Sequence, residues 1–188
     1  MKKELKRCPW CLSSTLMMQY HDEEWGIPVH DDRLHFEYIV LDSFQAGLSW
    51  STILNKRENF RKAFDGFDPI KIARYTPAKV EKLMKDEGII RNKLKILATI
   101  SNAKSFIAIQ KEFGTFDEFI WQFTKGKIVD NSRKSHKGIP ARTSISDKMS
   151  EELKARGLKF VGSTICYAYM QAAGMVNDHL ADCHTRKK

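Results

Sequence analysis

The hydrophobic positions of this chain recur mainly at spacings of three and four, and that period predicts helices. Residues 32–45 (DRLHFEYIVLDSFQ) align Leu34, Tyr38, Leu41 and Gln45 in one stripe, with Ile39 beside it. After Gly47, residues 50–64 carry Ile53, Leu54, Phe60 and Phe64 at helical intervals. Thr76 followed by Pro77 reads as a cap and a first helical residue, opening a helix to about Lys85. Residues 92–113 hold the longest pattern, with Leu94, Leu97, Ile100, Ala103, Ile107 and Phe113 as its expected apolar stripe. Thr115 and Glu118 form a capping-box pattern ahead of a short aromatic helix ending near Phe123. Helices over 147–156 and 163–173 are each stopped by a glycine, Gly157 and Gly174. No strand pair or repeat is evident, so the expected fold class is all-α in one domain, 1–188.

Two stretches stand outside this periodicity. Residues 124–145 have no apolar period and carry six Lys/Arg against one Asp; a loop of that length in a compact chain is usually functional or mobile. Between the last two helices lies GLKFVG, in which Gly157 and Gly162 bracket Phe160 and Val161, with Lys159 ahead of the pair. This matches a helix-hairpin-helix over about 147–173, which turns backbone N–H groups and a helix N-terminus toward a DNA phosphate. An ordinary helix–turn–helix connection in a bundle would look the same.

Charge favours the first of these readings. The 188 residues contain 32 Lys and Arg against 23 Asp and Glu, a formal net charge of +9. Such an excess suits a polyanion such as nucleic acid, although a generally basic surface would produce it too. No apolar run approaches a membrane span, and the basic start MKKELKRCPWC has no apolar segment behind it. The expected compartment is the cytoplasm, with no membrane partner.

There, four cysteines point to metal or burial more than to disulfides. Cys8, Cys11 and His21 cluster at one end of the chain, and His179 and Cys183, one helical turn apart, at the other. These are five candidates for four tetrahedral positions, and Cys₂His₂ is a common structural zinc set. A zinc deaminase also uses His, Glu and a Cys-x-x-Cys pair, but there the cysteines follow the histidine, whereas here they precede His21. A closed site of four ligands would fasten the two termini, about 8–21 and 179–183, to each other.

The segments YHDEEWGIPVHDD, QAGLSWSTILNKRENFRKAF, EGIIRNKLKI and RGLKFVGSTICYAYMQAAGMVNDH, in that order, closely resemble the DNA-3-methyladenine glycosylase I family of bacterial repair enzymes. The likeness runs from about residue 7 to residue 183. It implies an all-α helix-hairpin-helix glycosylase with structural zinc joining its terminal segments. The implied ligands are Cys8, His21, His179 and Cys183, with Cys11 a spare. It implies a pocket in which a flipped base lies between aromatics, Tyr20 and Trp50, with a carboxylate, Asp42, reading its edge and serving as the catalytic-site acid. Two positions depart from the family pattern: its usual glutamate is Asp42 here, and an expected tyrosine is Met17, counted with the base-binding residues.

The implied activity is hydrolysis of the N-glycosidic bond of 3-methyladenine in double-stranded DNA, releasing the base and leaving an abasic site. Leu48, in QAGLSW, is a candidate wedge for the vacated stack, with a core leucine as the plainer reading. Gly157, Lys159 and Gly162 are the expected phosphate-contacting residues. Asp178 follows the hairpin as a catalytic aspartate does in related glycosylases, but it abuts His179 and is read as support for the metal site. A Cys183→Ser change is expected to lower stability and spare the pocket. The alternatives are a non-catalytic, zinc-fastened module that binds damaged DNA, and a glycosylase retuned to another base. A monomer is expected.

Overall fold

The computed structural model describes residues 5–187. Nine helices organise them: α1 (Thr15–Glu23), α2 (Asp32–Gln45), α3 (Trp50–Ala63), α4 (Pro69–Ile72), α5 (Pro77–Lys85), α6 (Lys93–Phe113), α7 (Phe116–Ile120), α8 (Ser144–Ala155) and α9 (Ser163–Ala172). Local chemistry sets most of their starts. Side chains of Ser14, Asp31, Ser49, Thr76, Asn92, Thr115 and Thr143 each accept a backbone N–H from the first turn they cap. A cap at Thr143, with Ser146 closing the reciprocal bond, starts α8 three residues earlier than the apolar pattern suggested.

Helix α2 is the axis of the molecule. Every residue from His35 to Phe44 is buried, because α3, α6, α7 and α9 pack around it. A helix enclosed on all sides needs no polar face, so its sequence shows only a weak stripe. Phe36, Phe44, Phe60, Phe64, Phe106 and Phe116 fill the space between these helices with no exposed surface.

Two expectations need correction, and one helix had not been expected. The buried face of α6 is Ile96, Thr99, Asn102, Ala103, Phe106 and Ile109, while Leu94 and Leu97 are exposed; two overlapping stripes fit the same apolar-rich helix, and packing selected the other. Helix α1, in the stretch MMQYHDE, gave no clear apolar period because it buries only Met17, Tyr20 and His21. The region 124–145 is not wholly irregular: β1 (Val129–Asp130) pairs in parallel with β2 (Val176–Asn177). A bridge between Arg133 and Leu180 extends that pairing. Ladders of two residues carry no readable alternation. Their effect is to lay the basic loop beside the C-terminal segment.

The chain end is also fixed by a close approach. Gly174 has φ +67°, and a Cβ there would sit 2.3 Å from the Ile27 carbonyl carbon. Only glycine lets the turn after α9 press against the segment following α1.

Candidate active site and metal cluster

A cavity of about 190 Å³ opens between α1, α2, α3 and α9, lined by Trp10, Tyr20, Trp25, Asp42, Gln45, Trp50, His136, Ile139, Ala168 and Gln171. The predicted Tyr20, Asp42 and Trp50 converge there from three helices. Trp50 is the first residue of α3, and Ser49 caps that helix, so the indole is set at the cavity rim by a helix start. The rings of Tyr20 and Trp50 lie 5.1 Å apart, tilted 46°. In this structure they touch each other and form one wall, with no gap for a ring between them.

Asp42 is 2% exposed, and among the described residues its Oδ2 has no hydrogen-bond partner. Burial pushes its carboxyl well above the usual carboxylate range, with the Arg57 charge pulling the other way. The indole N–H groups of Trp10 and Trp50 are likewise buried and unpartnered. A mostly aromatic cavity with an orphaned carboxylate and orphaned N–H donors offers stacking surface plus unmet hydrogen-bonding capacity, which suits a flat polar ligand.

Met17 does not line this cavity. It is buried in a second apolar cluster with Cys8, Cys11, Tyr20, Trp25, Leu54, Leu180 and Cys183, about one turn of α1 from Tyr20. The sequence reading also missed Trp10, Trp25, Gln45, His136, Ile139, Ala168 and Gln171. They come from five separate segments, and no spacing pattern links them.

Behind the aromatic wall, Cys8, His21, His179 and Cys183 are all buried, with their ligating atoms within 4.8 Å of one another. Cys183 Sγ lies 3.4 Å from His21 Nε2 and 3.7 Å from His179 Nδ1, and Cys8 Sγ lies 3.8 Å from His179 Nδ1. The opposite ring nitrogens are occupied: His21 Nδ1 meets Asp22 Oδ1 at 2.8 Å, and His179 Nε2 meets the Trp25 carbonyl at 2.9 Å. That leaves the inward nitrogens to ligate, the usual support for metal-binding histidines. The Thr185 hydroxyl borders the cluster, 2.8 Å from His179 Nδ1.

Burial lowers the pKa of His21 and takes His179 down to about 4, so both rings are neutral at pH 7, the form that ligates. Burial pushes the Cys8 thiol up to about 12; a divalent cation among the four would reverse this. The donor set therefore fits a tetrahedral metal. Cys11 stays outside it, its thiol donating to the Cys8 carbonyl at 3.1 Å.

Two further predicted elements lie outside the cavity lining. Leu48 is 42% exposed on the turn between α2 and α3, where Gly47 has φ +82°. The hairpin joins α8 to α9, and Gly162 caps α9 without a side chain, leaving its first-turn amides without a side-chain acceptor. Lys159 contributes less than expected through its backbone: its N–H donates to Asn102 Oδ1 at 2.7 Å, and its carbonyl accepts from Asn102 Nδ2 at 3.0 Å. Only its exposed ammonium is open to a partner. Asp178, expected to support the metal site, is enclosed and instead accepts from Tyr167, Asn131, Arg133 and Gln171.

Comparison with known proteins gives the chain a family. The chain is 45% identical over 179 residues to DNA-3-methyladenine glycosylase 1 of Escherichia coli strain K12, covering 95% of this chain and 96% of that one. A crystal structure of 3-methyladenine DNA glycosylase I superposes with TM-score 0.93 at 47% identity, covering 95% of this chain and 98% of that one. A tyrosine-to-phenylalanine variant of such an enzyme, in complex with 3-methyladenine, superposes with TM-score 0.94 at 31% identity, covering 97% and 98% of the two chains. The family model described as methyladenine glycosylase matches residues 10–187, and the chain belongs to that family.

Proposed function

We propose that this chain excises 3-methyladenine from alkylated double-stranded DNA as a monofunctional glycosylase, with the Asp42 cavity as the base pocket. The observation that carries the reading is the buried Asp42 carboxylate, one oxygen without a partner, facing an aromatic cavity of a methyladenine glycosylase.

The chemistry needs little acid catalysis. Methylation at N3 makes the base cationic, so when the C1′–N9 bond breaks its electron pair neutralises the departing ring. Water then adds to the oxocarbenium-like C1′ and loses a proton to solvent, giving free 3-methyladenine and an abasic site. The protein must supply access and discrimination. Access costs a few kcal/mol of unstacking, less for a damaged base, and Leu48 fills the vacated stack. Stacking on Trp50 and Tyr20 supplies roughly 1–3 kcal/mol per base. Asp42 accepts a hydrogen bond from the exocyclic amine, and a cationic base entering the pocket favours its ionised form.

The helical hairpin of α8 and α9 acts as a helix-hairpin-helix anchor, presenting the uncapped start of α9 and the Lys159 ammonium to a phosphate. Zinc would be held by Cys8, His21, His179 and Cys183, where a closed ligand set supplies structure and no reactive water. Among the described residues, no helix is long and apolar enough to cross a membrane.

A chromatographic inventory of bases freed from methylated DNA tests the reading. Release of 3-methyladenine supports it; DNA binding with no base released would leave a binding module, and release of a different base would show a retuned pocket.

A further inference from the structure

The pocket has a second polar wall, held at a distance. Gln171 is in the last turn of α9, three residues after Ala168, and both line the cavity. Its side-chain Nε2 donates to Asp178 Oδ2 at 2.9 Å. Asp178 also accepts from the Tyr167 hydroxyl at 2.6 Å, Asn131 Nδ2 at 2.8 Å and Arg133 Nε at 2.9 Å.

A glutamine amide is nearly symmetrical in shape, and its two ends are told apart only by their hydrogen bonds. Here the choice is forced. Reversing the amide would set its oxygen against a carboxylate oxygen at hydrogen-bond distance, with no proton between them. The amide nitrogen therefore faces Asp178, and the carbonyl oxygen is the free end. Among the described residues that oxygen accepts no hydrogen bond from a side chain.

We propose that Gln171 is a specificity-determining residue, oriented by Asp178 so that its carbonyl oxygen is the acceptor turned to the flipped base. With Asp42, the pocket then has acceptors on α2 and on α9. The exocyclic amine of an adenine-type base carries two N–H donors, whereas a guanine-type base has an O6 acceptor in the same place. Two facing acceptors reward the first and repel the second. A free glutamine would turn its NH₂ fully to meet O6; the Asp178 contact engages one of the two N–H donors and opposes that turn. Asp178 acts here as a positioning residue, through Gln171, and touches no base.

This inference rests on the glycosylase reading, and one experiment separates the two. Single-turnover release of 3-methyladenine and of 3-methylguanine is measured from the same dimethyl-sulfate-treated DNA, for wild type, Gln171→Met and Asp178→Asn, alongside melting temperatures. Gln171→Met removes the acceptor at similar length. Asp178→Asn supplies an amide that can donate, freeing Gln171 to turn.

In either variant that melts as wild type does, the ratio of adenine to guanine product should fall roughly tenfold, the size of one neutral hydrogen bond. A merely structural role for Asp178 would slow both reactions alike and leave the ratio unchanged. An unchanged ratio in a Gln171→Met protein of wild-type stability overturns the proposal. A fall there but not in a folded Asp178→Asn overturns the orienting role of Asp178. Wild type that releases neither base overturns the glycosylase reading itself.

Discussion

Asp42 shows how one residue can be costly to the fold and useful to the site. A buried carboxylate with an unpartnered oxygen has lost hydration without full compensation. Its folded pKa is raised by that burial. Above about pH 4, the ordinary carboxylate value, the unfolded chain gives up this proton while the folded chain keeps it. The folded state then binds more protons, and stability falls as pH rises through that interval. Asp42→Asn removes a group that must stay protonated to remain buried. The variant should melt about 2–4 °C above wild type at pH 7–8, for ~1 kcal/mol in a chain of this size, and the difference should vanish at pH 4 and below. Its 3-methyladenine excision should fall at the same time, since a neutral amide does not favour a cationic base. Calorimetric melting at the two pH values checks the first part and base release the second. Equal melting at pH 7 would show that the carboxylate is stabilised by something other than bound base. Asp42→Glu supplies the longer carboxylate that the resemblance implies for this position and should support excision at or above the wild-type rate.

Between elements, the connections that matter are those a linear pattern cannot show. Caps were readable at Thr76 and Thr115, which act within one turn of themselves, and a glycine stop at Gly157 is equally local, with φ +90°; the Thr143 cap was passed over for the later apolar pattern. The terminal Cys/His clusters and the aromatic and acidic positions Tyr20, Asp42 and Trp50 were readable from residue type and family likeness. Lys95 was not, because its partners are carbonyls about fifty residues away. It is buried on α6, and its Nζ donates to the Phe44 carbonyl at 2.9 Å and the Ala46 carbonyl at 2.7 Å, at the end of α2, where a cation complements the helix dipole. The same ammonium lies 5.9 Å from the Phe160 ring of the hairpin. One side chain thus ties the Leu48 turn to the α8–α9 hairpin. Lys95→Met should destabilise by ~1.5–3 kcal/mol, the range for charged hydrogen bonds. It should reduce excision from duplex DNA more than affinity for free 3-methyladenine, because it loosens the DNA face and not the cavity wall. Parallel measurement of both constants checks this; equal losses would mean that the contact supports the whole fold alone.

At the scale of the whole molecule, the net charge of +9 and the metal cluster bear on different steps. Charge should govern encounter: the affinity for undamaged duplex should fall steeply and linearly with salt on logarithmic axes, as counterion release requires. The Cys/His cluster reaches the pocket as well as the terminal segments, which changes one expectation drawn from the sequence. Cys8 and His21 bracket Trp10 and Tyr20, and Trp25 follows closely. Trp10 lies 5.4 Å from the His21 ring, and Trp25 lies 4.6 Å from the His179 ring. Three of the aromatic pocket walls are thus carried by the segment that the ligands clasp. Opening the cluster releases a link between residues 8 and 183, which spans nearly the whole chain, and a closure of that length restores considerable entropy to the unfolded state. Cys183→Ser should therefore hold less than one zinc per chain and melt several degrees lower. Against the simple structural role, it should also bind free 3-methyladenine more weakly, as followed by quenching of tryptophan fluorescence. Elemental analysis, melting and that titration on one preparation are sufficient. Full base affinity in a folded, zinc-free protein would show that the clasp and the pocket are independent, and that the aromatic walls are held by the helical core alone.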